Sequence, residues 1–239
     1  MASASSNWAL CATAVVFLAA AVSGCATTQD ANKRIDVRFD RTLTSRKPLE
    51  LRGTDHDVQV VRTAVVNGKD GSAIVVVLRN RGDAPVNDLP IEVGPRGGRA
   101  INTAANVPYF QSHAPAIAPG DQVTWVYESK DPLGSGTAFA RVGAPPSPPL
   151  TTAGHVSELK ASGKSGGSSV DAEVANDTGI PQYDMDVYAV ARKGDRYVAA
   201  GRASIEHLGV SKSLHLTLPL VGDAKGAQVQ VFAPQTLFQ

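Results

Sequence analysis

The chain has 239 residues, 43% of them hydrophobic and 19% charged, with Lys+Arg 23 against Asp+Glu 22 and a formal net charge of +1. That apolar content excludes a disordered chain, because enough surface can be buried to offset the entropy of ordering. The balanced charge argues against a nucleic-acid partner, which would need a cationic excess to neutralise phosphates. Two cysteines cannot build a disulfide-dense scaffold or a four-thiolate zinc site.

The first element is apolar. Residues 1–29 carry no charged side chain, and Trp8–Val22 is an almost unbroken apolar run of 15 residues. At about 1.5 Å rise per residue, such a helix falls short of the ~30 Å hydrocarbon core. A signal-peptide h-region fits better than a membrane span. Val22-Ser23-Gly24-Cys25 follows at once. This tetrad resembles the bacterial lipobox, in which small residues precede a cysteine that is acylated before cleavage. The resemblance implies a signal peptide over residues 1–24 and a mature chain beginning at a lipidated Cys25. Ala26, in place of Asp, resembles the pattern of lipoproteins exported to the outer membrane. Cys11 would leave with the signal.

Residues 25–54 read as a polar tether. From Asp30 to Thr54 there are seven basic and four acidic residues, a charge of +3, which leaves −2 for the remaining chain. A solvated spacer is the expected role, with Ile35, Val37 and Phe39 alternating as a short accessory strand would.

Everything after the tether has β character. Val-rich segments bounded by Gly, Asp, Asn and Pro recur at His56–Val66, Ala73–Asn80, Asp88–Val93, Gln122–Glu128 and Thr137–Val142. A second set follows at His155–Ala161, Ser169–Asn176, Tyr183–Ala191, Tyr197–Ile205, Ser213–Leu220 and Gln228–Phe232. Between them lies a proline-rich run, Gly143–Leu150, which cannot donate to a sheet ladder and reads as a semi-rigid linker. The expected organisation is a β-sandwich domain over 55–143, a linker over 144–154 and a second β-sandwich domain over 155–239.

The two sets repeat each other. Asn80, Pro85, Asp88, Leu89, Ile91 and Val93 align with Asn176, Pro181, Asp184, Met185, Val187 and Ala189 at a constant offset of 96. Ile117, Val123, Trp125 and Tyr127 align with Leu208, Leu214, Leu216 and Leu218 at an offset of 91. A loop five residues shorter in the second copy reconciles the offsets. Each copy has the size of an immunoglobulin-like sandwich. In the second copy Val187–Asp195, Ala200-Gly201-Arg202 and the Leu208–Leu218 block, and in the first copy Ile117-Ala118-Pro119-Gly120-Asp121, resemble bacterial immunoglobulin-like modules of the FxLYD and CARDB kinds. The resemblance implies an all-β fold of two tandem immunoglobulin-like sandwiches, acting as adhesive, spacer or assembly units without catalytic residues.

Candidate sites are weighed against that repeat. Trp125 aligns with Leu216 in an inward alternation, which favours a core position over a sugar-stacking platform. His215 aligns with Thr124 on the opposite face and should meet solvent. Asp55-His56-Asp57 would need a flexible loop to gather its three side chains around a cation. His113, His155 and His207 share no ligand spacing with it, so no metal and no cofactor is expected. Arg81-Gly82-Asp83 spells an adhesion tripeptide but falls in the repeated turn. Gly134-Ser135-Gly136 and Gly163–Gly167 lack phosphate-loop spacing, which favours hairpin loops. Asp88, Asp184, Asn80 and Asn176 recur at the same turns, which points to architecture.

The resulting expectation is a lipid-anchored extracytoplasmic protein of the cell envelope, acting without catalysis as an interaction or assembly module. Its anchor would lie in the outer membrane facing the periplasm in a Gram-negative cell, and otherwise on the outer face of the cell membrane. Its partners would be the membrane and another envelope protein. The alternative is a small-ligand or glycan-binding lipoprotein using a crevice between the domains.

Overall fold

The computed structural model describes residues 51, 53, 55–95, 110–133, 137–144 and 160–236. The expected signal peptide with Val22, Ser23 and Gly24, the expected lipid site Cys25, nearly all of the expected tether, the expected linker beyond Ala144, Gly134–Gly136 and His155 lie outside these residues.

The described residues are all β, with no helix among them. The first half supplies β1 (Val58–Gly68), β2 (Gly71–Asn80), β3 (Leu89–Pro95), β4 (Phe110–Ala114), β5 (Gln122–Ser129) and β6 (Ala138–Val142). The second supplies β7 (Lys160–Ser165), β8 (Ser169–Ala175), β9 (Gln182–Lys193), β10 (Arg196–Leu208), β11 (Ser213–Pro219), β12 (Val221–Gly222) and β13 (Gln228–Phe232). Among the described residues the strands pair antiparallel.

The sheet orders are β1-β2-β5 with β4-β3-β6, then β11-β8-β7 with β12-β10-β9-β13. Apart from the short β12, the second pair reproduces the first strand for strand. Position for position, β7, β8 and β11 stand where β1, β2 and β5 do, and β10, β9 and β13 where β4, β3 and β6 do. The duplication read from spacing is therefore a duplication of topology.

Each pair of sheets encloses apolar side chains at alternating positions. In the first half Ile74, Val76, Leu78, Leu89, Ile91, Val93, Val123 and Trp125 are buried in one cluster. In the second, Val170, Ala172, Val174, Met185, Val187, Ala189, Ile205 and Leu218 are buried in another. The 96-residue offset maps Ile74, Val76 and Leu78 onto Val170, Ala172 and Val174, so the same alternation points inward in both copies.

Two strands were not anticipated. Phe110–Ala114 has no apolar alternation and is held as β4 by its register with β3, from Leu89↔Ala114 to Val93↔Phe110. Val221–Gly222 is a two-residue pairing with β10. Residues Pro48–Gln239 gather as one compact unit.

Candidate interaction surface

Asn80 and Asn176 carry the most polar bonding in the repeat. Asn80 is fully buried at the end of β2. Its Nδ2 donates to Ala84 O at 2.8 Å and Ile117 O at 3.1 Å, while its Oδ1 accepts from Gly82 N at 2.9 Å. Asn176 repeats the set. Its Nδ2 donates to Ile180 O at 2.9 Å and Leu208 O at 3.0 Å, and its Oδ1 accepts from Thr178 N at 3.0 Å. Ala84 and Gly82 map to Ile180 and Thr178 at an offset of 96, and Ile117 to Leu208 at 91, the two offsets that the sequence shows. One side chain thus ties two loops at the same end of each sandwich and satisfies carbonyls that burial would otherwise leave without water.

Asp88 and Asp184 have φ of 49° and 45°. Sequence reasoning assigned them to the architecture of a repeated turn. The structure adds the backbone reason: both occupy the left-handed region, which Asp tolerates better than most residues. Asp88 also faces His113, Oδ1 to Nδ1 at 3.6 Å.

The remaining candidates disperse. Trp125 is 1% exposed in the first core. Asp55 Oδ1 accepts from Asp57 N at 2.7 Å and Val58 N at 3.1 Å, capping the start of β1 instead of gathering with His56. His207 stacks on Tyr183 with ring centroids 4.6 Å apart. The His215 side chain is 79% exposed, with Nε2 3.8 Å from Glu173 Oε1. Among the described residues no group of three His, Cys, Asp or Glu is placed to hold a metal ion. Arg81 N donates to Asp57 O at 2.6 Å and Gly82 N is held by Asn80, so the Arg-Gly-Asp backbone belongs to the repeated turn. Of Gly163–Gly167, expected as a hairpin loop, Gly163, Lys164 and Ser165 belong to β7 and pair with β8, and only Gly166 and Gly167 enter the turn, where Gly166 N donates to Ser169 O at 2.8 Å.

Sequence reasoning missed a face. On sheet β1-β2-β5, Thr63, Val76 and Trp125 stand side by side, and Thr63 Oγ1 donates to Ala138 O of β6 at 2.6 Å. That face looks onto its own partner sheet. The opposite face carries Arg62, Ala64, Val66, Ala73, Val75, Val77, Val126 and Glu128, by the same registers. It looks onto the second half. The Arg62 guanidinium stands 5.1 Å over the Tyr197 ring and donates to Asp195 O. Glu128 Oε1 accepts from Arg202 N at 2.8 Å. Val75 and Val126 share a buried cluster with Tyr188, Val190 and Ala200 of β9 and β10.

This seam explains β2. Its residues Ala73–Val76 are buried without a break because both faces are covered, which is why the run does not alternate. Gly222 seals the corner: with φ at +95°, a Cβ there would lie 2.2 Å from Val198 O and 3.1 Å from Val66 Cγ1. The buried Tyr188 phenol donates to Asp186 Oδ2 at 3.3 Å, and burial first, the Asp186 charge second, holds its pKa well above the ordinary tyrosine range.

At the equivalent positions of β8 the second copy has Asp171 for Val75 and Glu173 for Val77, both exposed. That substitution of charge for valine was visible in the sequence as a difference between otherwise matching strands. The same sheet ends in β11, where five of seven residues are exposed. No family model matches the chain, and no curated protein matches it.

Proposed function

We propose that this chain is a lipid-anchored protein of the cell envelope, held at the membrane through Cys25 and acting as a non-catalytic interaction module built from two immunoglobulin-like sandwiches. The anchor rests on Val22-Ser23-Gly24-Cys25 directly behind an uncharged apolar run. The interaction role is carried by β11, an exposed end strand that offers backbone donors and acceptors to another chain.

The disposition of polar side chains supports the same reading. Asn80, Asn176, Asp88 and Asp184 are committed to turns, and Arg62 and Glu128 to the seam between the halves. Chemistry of that kind builds a rigid presenter.

Three measurements test the reading. Cys25→Ser should move the protein from the membrane to the soluble fraction, and unchanged partitioning would remove the anchor. In-cell crosslinking followed by mass spectrometry should recover an envelope protein or a second copy. Turnover of a small molecule by the purified chain would overturn the non-catalytic assignment.

A further inference from the structure

The hydrogen-bond phase of β11 determines what its free edge can pair with. Asn176 N donates to Lys212 O at 2.8 Å, and Leu220 N donates to Ser168 O at 2.8 Å, on either side of the strand. Both bonds belong to the register that sets Leu214 opposite Val174, Leu216 opposite Ala172 and Leu218 opposite Val170. Hydrogen-bonded and non-bonded residues alternate along an antiparallel strand. The even-numbered residues therefore spend their backbone groups on β8. Ser213, His215 and Thr217 direct theirs away from the sheet.

The outward half of this strand is self-complementary. About Leu216, Leu214 mirrors Leu218 and His215 mirrors Thr217. We propose that β11 pairs antiparallel with β11 of a second copy of this chain, across a two-fold axis at Leu216. The proposal rests on the interaction reading above and names its partner. His215 then faces the second copy's Thr217 as a hydrogen-bonded pair, and each exchanges both backbone bonds. Ser213 N–H reaches the second copy's Pro219 C=O, the one acceptor that proline still offers. Leu214, 38% exposed although its counterpart Val123 is 5% exposed, is covered by the incoming strand.

Charge and topology favour a closed pair. The acidic β8 strands, with Asp171 and Glu173, would lie three strand spacings apart, roughly 14 Å, beyond a Debye length of ~8 Å. At the other end of the sheet β7 lies against β13 and carries Lys160 and Lys164, so extension is confined to the β11 side. A two-fold joint of this kind closes on itself and does not grow into a filament.

The test is disulfide trapping in membranes from cells making the full chain, with the unsubstituted protein reporting any background from Cys11 and Cys25. Leu216→Cys should give a disulfide-linked dimer under mild oxidation. A non-bonded antiparallel pair sets Cα atoms about 4.5 Å apart, inside the ~4.4–6.8 Å range of disulfides. Lys164→Cys, at the opposite edge, should crosslink at least about tenfold less. Adding Thr217→Pro removes an outward N–H while keeping the backbone bonds to β8, at the loss of the Thr217 Oγ1–Asp171 Oδ1 bond, and should cut the Leu216→Cys product about tenfold or more. Equal crosslinking at 216 and 164, or a product insensitive to Thr217→Pro, would overturn the pairing. A crosslink from Leu216→Cys to a different protein would also overturn it, while leaving the interaction reading in place. Should Leu216→Cys fail to fold, sedimentation in mild detergent decides: the native chain should dimerise and Thr217→Pro should raise its dissociation constant about tenfold or more. A native chain that stays monomeric refutes the proposal.

Discussion

Val75→Asp gives the first copy the residue that the second carries at the same place. Val75 is fully buried between its own sheet and Tyr188, Val190 and Ala200 of the second half. Losing the buried valine surface costs about 1.5–3 kcal/mol. Stripping water from the new carboxylate, with no donor placed to receive it, adds about 1–3 kcal/mol or more. Arg62 sits diagonal to the site but is engaged with Asp195 O and the Tyr197 ring, so rescue by an ion pair would undo the seam it belongs to. A loss of about 3–5 kcal/mol is expected, a large share of an ordinary domain's stability. The cheapest response is to part the halves and hydrate the face. Calorimetry of the native chain should show one cooperative transition, and Val75→Asp should split it into two. Asp171→Val, at the exposed equivalent, should stay within about 0.5 kcal/mol of the native chain. A single transition for Val75→Asp, with stability lowered by less than about 1 kcal/mol, would refute the seam as the joint between the copies.

Three further outcomes follow from the repeat and its seam. Asn80→Ala should cost about 3 kcal/mol, near 1 kcal/mol for each of three bonds, and Asn176→Ala at least as much in urea unfolding; a loss below about 1 kcal/mol at either would show the loops hold themselves. Ser211, at φ 57°, occupies the place of Gly120, at φ 77°. Ser211→Gly should therefore stabilise by up to about 1 kcal/mol, and Gly120→Ala, whose Cβ would meet nothing within 4 Å, should destabilise by about as much; an unchanged midpoint for both would deny the backbone cost. Because Tyr188 has its folded pKa raised above the unfolded value, its contribution is complete below about pH 10 and is lost as pH climbs toward the folded value. Tyr188→Phe should flatten that alkaline decline, and an identical pH profile would show that the phenol does not report on it.

Legibility followed how many surfaces each strand meets. Strands with one buried face, such as β8, alternate and could be bounded to within a residue, Ser169–Asn176 against the observed Ser169–Ala175. The repeat offsets located both Asn hubs and both left-handed Asp residues, because turns with special backbone geometry restrict residue choice. β4 was illegible: Phe110-Gln111-Ser112-His113-Ala114 has no periodic apolar pattern, and its strand state comes from the β3 ladder. The seam was hidden for a different cause. A β2 run buried on both faces looks the same whichever element covers it, so Ala73–Val76 announced burial without naming Tyr188 or Val190. Only the contrast with Ser169, Asp171 and Glu173 carried that information.

The same contrast makes the two equivalent faces chemically different. An interface in which one face of the first module receives a different face of the second is head-to-tail, and such a contact repeats without limit if the free ends keep the same surfaces. The receiving face on the first copy is Val75, Val77 and Val126; its equivalent on the second is Asp171, Glu173 and Thr217. Docking a third module there would strip water from two carboxylates in place of two valines, against a β9–β10 face on which Tyr188, Val190 and Ala200 stand beside Arg192 and Arg202. Thr217 Oγ1 already donates to Asp171 Oδ1 at 2.8 Å, which fixes the carboxylate on that surface. That face is charged and exposed where its counterpart on the first copy is apolar and covered. Divergence between the copies at these few positions therefore separates the face that joins the halves from its equivalent that meets water.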